Sequence, residues 1–346
     1  MKRLIPILIF ALVAVVPTAV WAGDYHSGAA LICSDCHVAH YSQSHVYNPG
    51  DFPAVPLGTA GPYKHLLRNE INELCLTCHD SKTWAPDVFG VNGGTARNRL
   101  AGGLNAAAGA PRANDTGYED IDGHTLWSTA TAPGGTFSNG EGLSCIDCHA
   151  QHGQVATQYR NLNTSTSPTN KFNGATVTYA VTTNDPTKDV FERAAASYAE
   201  ADVDYNEPNT SASAYGKWCA SCHPTFHGAG GATNMGGASG GDANLAFPWL
   251  RHPQADVNIG QNASYISSLT QYNSHTNAVK VMSPANNGWT LPVTAGVTPS
   301  CFSCHKSHGN KNGFGLIYMK GTGTVTEEGD GGVYKDLCRQ CHVQGG

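Results

Sequence analysis

Charge is scarce in this sequence: Asp, Glu, Lys and Arg are 13% of its 346 residues, against about 25% in a typical soluble protein. No run of Lys and Arg exceeds two residues, which argues against a nucleic-acid partner, since such a surface needs concentrated positive charge. Methionine is rare, with 4 in the chain. Beyond the N-terminal stretch no segment is apolar enough to span a bilayer, which takes about 20 residues. Unpaired cysteine is missing altogether, because each of the 12 cysteines has a partner three positions away. In place of charge there are 40 glycines and much Asn, Thr, Ser and Ala. Such a chain has few long amphipathic segments, so something other than aliphatic side chains must supply its core.

The chain opens MKRLIPILIFALVAVVPTAVWAGDYH. Lys2 and Arg3 precede an apolar run from Leu4 to Val16, and Val20-Trp21-Ala22 supplies small residues at the positions a signal peptidase reads. The expectation is a signal peptide over 1–22 and a single exported domain over 23–346, with no membrane span after cleavage. Without Lys2 and Arg3 the 20 basic residues fall to 18 against 26 acidic, a formal charge of −8.

The cysteines define six motifs: CSDCH (33–37), CLTCH (75–79), CIDCH (145–149), CASCH (219–223), CFSCH (301–305) and CRQCH (338–342). An even number of cysteines in an exported chain first suggests disulfides. The arrangement defeats that reading, because His follows every pair, and with 16 histidines in 346 residues six chance matches have a probability on the order of 10⁻⁸ against the C-x-x-C-H pattern of c-type haem attachment. Two thiols on one turn can add to the two vinyl groups of a haem, and the next residue then sends its imidazole to the iron. Zinc would need ligand sets closed at four, into which six Cys₂His groups do not divide neatly. A thioredoxin-like redox pair explains one C-x-x-C, not six. Six covalent c-type haems are expected, on Cys33, Cys36, Cys75, Cys78, Cys145, Cys148, Cys219, Cys222, Cys301, Cys304, Cys338 and Cys341. Their proximal iron ligands are His37, His79, His149, His223, His305 and His342.

Ten histidines remain. His40, His152 and His308 each lie three residues after a proximal His, and His227 lies four after one. A His so placed springs from the same side of its own haem, so it can reach the iron of an adjacent haem but not the far face of its own. Each C-x-x-C-H-x-x-H is thus expected to couple two haems. His124, His252 and His275 are further distal candidates, with Pro253 stiffening the loop after His252. His26 follows, while His45 and His65 are the weakest. Met could ligate instead and raise the potential, but with so many spare imidazoles bis-His ligation and low potentials are expected.

Successive motifs begin 42, 70, 74, 82 and 37 residues apart, too uneven for a solenoid. The spacing of Leu67, Ile71, Leu74 and Cys78 predicts a helix over 65–79 carrying the second motif. Asp185 and Pro186 start a second predicted helix over 185–201. The Gly-rich and polar tracts 101–115, 205–214 and 228–242 read as loops or turns, with the parts next to His227 and His252 expected to wrap haem edges. The expected fold is irregular, mostly coil with few short helices, wound around a stack of six haems that replaces a side-chain core.

YHSG before CSDCHVAH, ATAPGGTF before CIDCHAQHG, WCASCHPTFH with its later LRHP, CFSCHKSHG and LCRQCH occur in this order along nearly the whole chain. The ordered set resembles the OmcS-type hexahaem outer-surface c-type cytochromes of metal-reducing bacteria, whose chains polymerise into extracellular conducting filaments. The resemblance implies little regular secondary structure and a continuous stack of bis-His haems. It implies that His40 is donated in trans, to the fifth haem (Cys301, Cys304, His305) of a neighbouring subunit. His26, His124, His152, His227, His252, His275 and His308 also match family histidines, which leaves eight candidates for six places. This chain is shorter than the family's, mostly after the fourth motif and after the second.

Three functions are weighed. The first is a head-to-tail homopolymer carrying electrons over long range to extracellular acceptors such as metal oxides, or from donor cytochromes. The second is a non-polymerising carrier at the cell surface or in the periplasm, with His40 serving the second haem of its own chain. The third, a multihaem reductase, would need an open iron or an unusual proximal ligand such as Lys, and no C-x-x-C-K occurs.

Overall fold

The computed structural model describes residues 26, 31, 33–38, 57–80, 82, 85, 88–89, 102–104, 123–133, 138–152, 161–163, 216, 218–219, 221–223, 259–260, 267–275, 279–281, 292, 297, 299–309, 312–319 and 334–343. The signal-peptide region, the predicted helix over 185–201 and the candidates His40, His45, His227 and His252 lie outside the described residues.

Among the described residues the chain is mostly coil, with short helices and isolated bridges in place of strands. The helices are α1 (Cys33–Cys36), α2 (Ile71–His79), α3 (Cys145–Cys148), α4 (Leu269–Asn273), α5 (Cys301–Cys304) and α6 (Tyr334–Cys338). Five of these six belong to cysteine motifs, so helix forms here chiefly where two thiols must share a turn. The His N–H closes that turn on the first cysteine's carbonyl at 2.8 Å for His37, 2.9 Å for His149 and His223, and 3.0 Å for His305 and His342. The residues between and before the cysteines cap it. Asp147 accepts from Ser144 N–H at 2.8 Å, and Ser303 Oγ accepts from Ser300 N–H at 2.9 Å. Such reciprocal bonds satisfy amides that a helix end leaves unpaired.

The helix predicted over 65–79 begins at Ile71 instead. Lys64–Leu66 form a 3₁₀ turn in which His65 and Leu66 take left-handed φ of 58° and 57°. Glu70 then starts α2, its Oε2 accepting from Asn72 N–H at 2.9 Å and Glu73 N–H at 3.1 Å. The buried positions of α2 are Asn72 and Leu76. Asn72 docks α2 on the third motif by donating to Leu143 O and accepting from Cys145 N–H.

Two apolar clusters of described residues are present. One, around the fifth and sixth motifs, gathers Tyr272, Val279, Val281, Phe302, Ile317 and Tyr318 with their neighbours. The other is Leu76, Phe89 and Leu126. Gln340, inside CRQCH and fully buried, accepts from Val279 N–H and donates to Tyr318 Oη. No helix among the described residues is long and apolar enough to cross a membrane.

Candidate haem sites

A clasp recurs behind the first, third and fifth motifs. Val38 N–H donates to Leu66 O at 2.7 Å, and Arg68 N–H to Cys36 O at 2.9 Å. Ala150 N–H and Asn163 N–H make the matching bonds to Asn161 O and Cys148 O, at 2.7 and 2.8 Å. Lys306 N–H and Ile317 N–H make them to Gly315 O and Cys304 O, at 3.0 and 2.7 Å. The residue between is a leucine each time, with Leu67, Leu162 and Leu316 bridging His37, His149 and His305. The residue before the leucine is left-handed each time: Leu66 at 57°, Asn161 at 55° and Gly315 at 63°. The sixth motif has a partial version, in which Ser267 bridges His342 and Ser268 N–H donates to Cys341 O.

The imidazoles are held through Nδ1. His37 Nδ1 lies 2.9 Å from His65 O, His223 Nδ1 2.8 Å from Pro133 O, and His305 Nδ1 2.8 Å from Phe314 O. Two distal candidates are held the same way, His124 at 2.8 Å from Ser307 O and His26 at 3.2 Å from Gln151 O. A carbonyl only accepts, so each Nδ1 carries the proton and a neutral ring keeps the Nε2 lone pair for a metal.

Four proximal rings face four distal candidates. The ring centroids are 5.9 Å apart for His26 and His79, 6.0 Å for His37 and His152, 6.1 Å for His124 and His223, and 6.3 Å for His149 and His308. Two imidazoles bonding one metal through Nε2 at about 2.0 Å, with centroids about 1.2 Å beyond each nitrogen, stand roughly 6.4 Å apart. The rings are thus spaced to hold one iron between each pair.

Burial suits the same group. It pulls the His308 imidazole down to about 3, with the neighbouring His149, His124 and His79 adding to the fall. It lowers His124, His305 and His342 as well. His124 and His305 are nonetheless reachable by solvent. Rings that are exposed at the protein surface and yet desolvated by the groups around them suit contact with a flat apolar cofactor. The thiols move the other way, Cys36 to about 11 and Cys148 and Cys341 to about 12, again through burial first. An uncharged thioether suits these surroundings better than a thiolate.

Each motif adjoins the next. Cys75 and Cys78 raise Cys36, Cys75 hydrogen-bonds Cys145, and Cys222 raises Cys148. His223 acts on His305, and Cys341 and Cys338 on Cys304. His275 sits beside the sixth motif, where Gln271 Nε2 reaches both His275 Nε2, at 3.3 Å, and Arg339 O, at 3.0 Å. His65 contributes its carbonyl to His37 while its own ring is exposed. That carbonyl role, like the clasp leucines, has no signal in the sequence beyond a Leu in HLLR, NLN and GLI.

No protein-family model matches the chain. Its sequence is similar to the c-type cytochrome OmcS of Geobacter sulfurreducens, 24% identical over 360 aligned positions that cover 86% of this chain and 81% of the relative. Two solved structures also match it. An outer membrane cytochrome S filament from Geobacter sulfurreducens is 20% identical, with a TM-score of 0.38. OmcS nanowires from the same organism are 18% identical, with a TM-score of 0.41. Each match covers 85% of this chain and 84% of the other.

Proposed function

We propose that this chain is an exported c-type cytochrome with six covalent haems, which passes electrons along an unbroken row of bis-His irons and polymerises head to tail outside the cell. The observation that carries this is the offset of the paired rings. His152, after the third motif, faces His37 of the first, and His308, after the fifth, faces His149 of the third. The second His of each odd motif therefore serves the odd motif before it. Continued one step, His40 of the first motif serves the fifth motif of another copy, at Cys301, Cys304 and His305. The similarity to a c-type cytochrome over most of both chains supports the same reading.

Bound haem supplies iron that stores and releases one electron. The protein's part is to fill both axial positions with imidazole, so that no substrate reaches the metal. Backbone carbonyls hold the rings of His26, His37, His124, His223 and His305 in one tautomer and orientation. Its clasps fix the cysteine turns of the first, third and fifth motifs, which keeps the cofactors there at constant separation. The assignment is His152 to the first haem, His26 to the second, His308 to the third, His124 to the fourth and a partner's His40 to the fifth. His227, His252 and His275 compete for the sixth. This is electron transfer rather than reductase chemistry, with extracellular metal oxides as acceptors and other cytochromes as donors.

Electron cryo-microscopy of filaments sheared from cells tests the reading. The expected result is one row of haems crossing every subunit joint, with His40 on the fifth iron of the next copy. Discrete particles with His40 bound inside its own chain would leave a non-polymerising carrier at the surface or in the periplasm.

A further inference from the structure

Besides their two histidines, the C-x-x-C-H-x-x-H motifs at 145–152 and 301–308 each hold a carbonyl that meets a third ring. Gln151 precedes His152, and its carbonyl lies 3.2 Å from His26 Nδ1. Ser307 precedes His308, and its carbonyl lies 2.8 Å from His124 Nδ1. The two sites are equivalent in register, each using the residue just before the second His. Each meets a distal candidate that faces the proximal ring of an even motif, His79 or His223.

At the second site the backbone reinforces the match. His124 N–H donates to His308 O at 2.9 Å, and Gly123 bridges Gly309. A Cβ on Gly123 would come within 2.4 Å of His308 O, so this close approach requires glycine. His124 is thus registered on residues 307–309 by main chain and ring together.

We propose that Gln151 and Ser307 are positioning residues for the distal ligands of the second and fourth haems, so that one short segment controls three irons. On the ligation proposed above, residues 149–152 hold the third iron through His149, the first through His152 and the second through Gln151 O and His26. Residues 305–308 do the same for the fifth, third and fourth. The ligand class is haem iron, and the means is an Nδ1–H bond that fixes the ring and raises its basicity. A more basic imidazole favours the ferric state, so each carbonyl lowers the potential of the haem it serves.

The test replaces His26 with Nδ-methylhistidine, which still ligates through Nε2 but cannot donate from Nδ1, and likewise His124 in a second variant. Six low-spin haems are expected in each. In a spectroelectrochemical titration one midpoint potential rises, a different one for each variant, while five stay in place. A titration unchanged from the parent protein overturns the proposal. His26→Ala separates this outcome from failure of the ligation itself: a new high-spin haem shows that His26 is axial, whereas six low-spin haems remove that reading and the proposal with it. Should the methylated variants not mature, NMR of ¹⁵N-histidine-labelled parent protein decides. Exchange-protected Nδ1 protons at His26 and His124 support the carbonyl bonds, and freely exchanging ones overturn them.

Discussion

At the residue scale, the deciding feature is which nitrogen of each imidazole is occupied. Nδ1 bonds from His26, His37, His124, His223 and His305 go to backbone carbonyls, so a side-chain substitution at the acceptor leaves the bond in place. The histidines themselves are the sensitive positions. His152→Ala is expected to make one haem of six high-spin by electron paramagnetic resonance, and that haem is the first, not the adjacent third. Adding Cys33→Ala and Cys36→Ala, which remove the first haem, should abolish the high-spin signal. A signal that persists would place His152 on another iron. Glu70 matters for a different reason, since it caps α2 and also accepts from Trp127 Nε1 at 3.3 Å. Glu70→Ala should cost about 1 kcal/mol in chemical denaturation, the usual value of an N-cap, with all six haems still attached.

At the element scale, the unit is the cysteine turn with its clasp. Of the left-handed residues, Leu66 has a side chain that disfavours that conformation, whereas Asn161 tolerates it, and the backbone bonds to Val38 and Ala150 hold both there. Gly102 is the tightest contact behind the fifth motif: at φ 83°, its Cβ would lie 1.7 Å from Gly309 O. Gly102→Ala should destabilise the protein by about 1–3 kcal/mol, as overpacking does, and draw His308 off the third iron, visible as a partial high-spin signal. Ring orientation gives a second expectation, because the angle between two axial imidazoles sets the splitting of the iron d orbitals. His37 and His152 are 23° apart in plane, while His149 and His308 are 82° apart. The first haem should therefore give a rhombic low-spin spectrum and the third a strongly anisotropic one. His308→Ala should remove the anisotropic signal alone.

At the scale of the whole molecule, the row of adjoining motifs from Cys36 to Cys341 has ends of different kinds. In the proposed assembly the first motif brings a spare histidine and the fifth needs one. His40→Ala should leave six covalent haems by pyridine haemochrome assay, yet yield discrete subunits by light scattering with the fifth haem high-spin. Filaments of normal length from this variant would show that the joint does not depend on that ligand.

Six C-x-x-C-H motifs and a shortage of charge and apolar runs were enough to determine a haem-built, coil-rich chain, because covalent attachment and proximal ligation are local: two thiols and an imidazole must lie within five residues. The ten spare histidines could be gathered from the sequence as candidates, but not paired. His26 meets His79, and His124 meets His223, across 53 and 99 residues, and those pairings depend on how separate turns pack. The start of α2 at Ile71 departs from the apolar period for a related reason. The apolar period continues through Leu67, but the residues before it are pulled out of helix to clasp Cys36 and Val38, bonds that no local propensity records. Tertiary structure alone decided which imidazole faces which, because the Nε2 atoms of His26, His37, His124, His223 and His305 are freed by carbonyls that the chain brings from elsewhere, and a carbonyl is present at every residue.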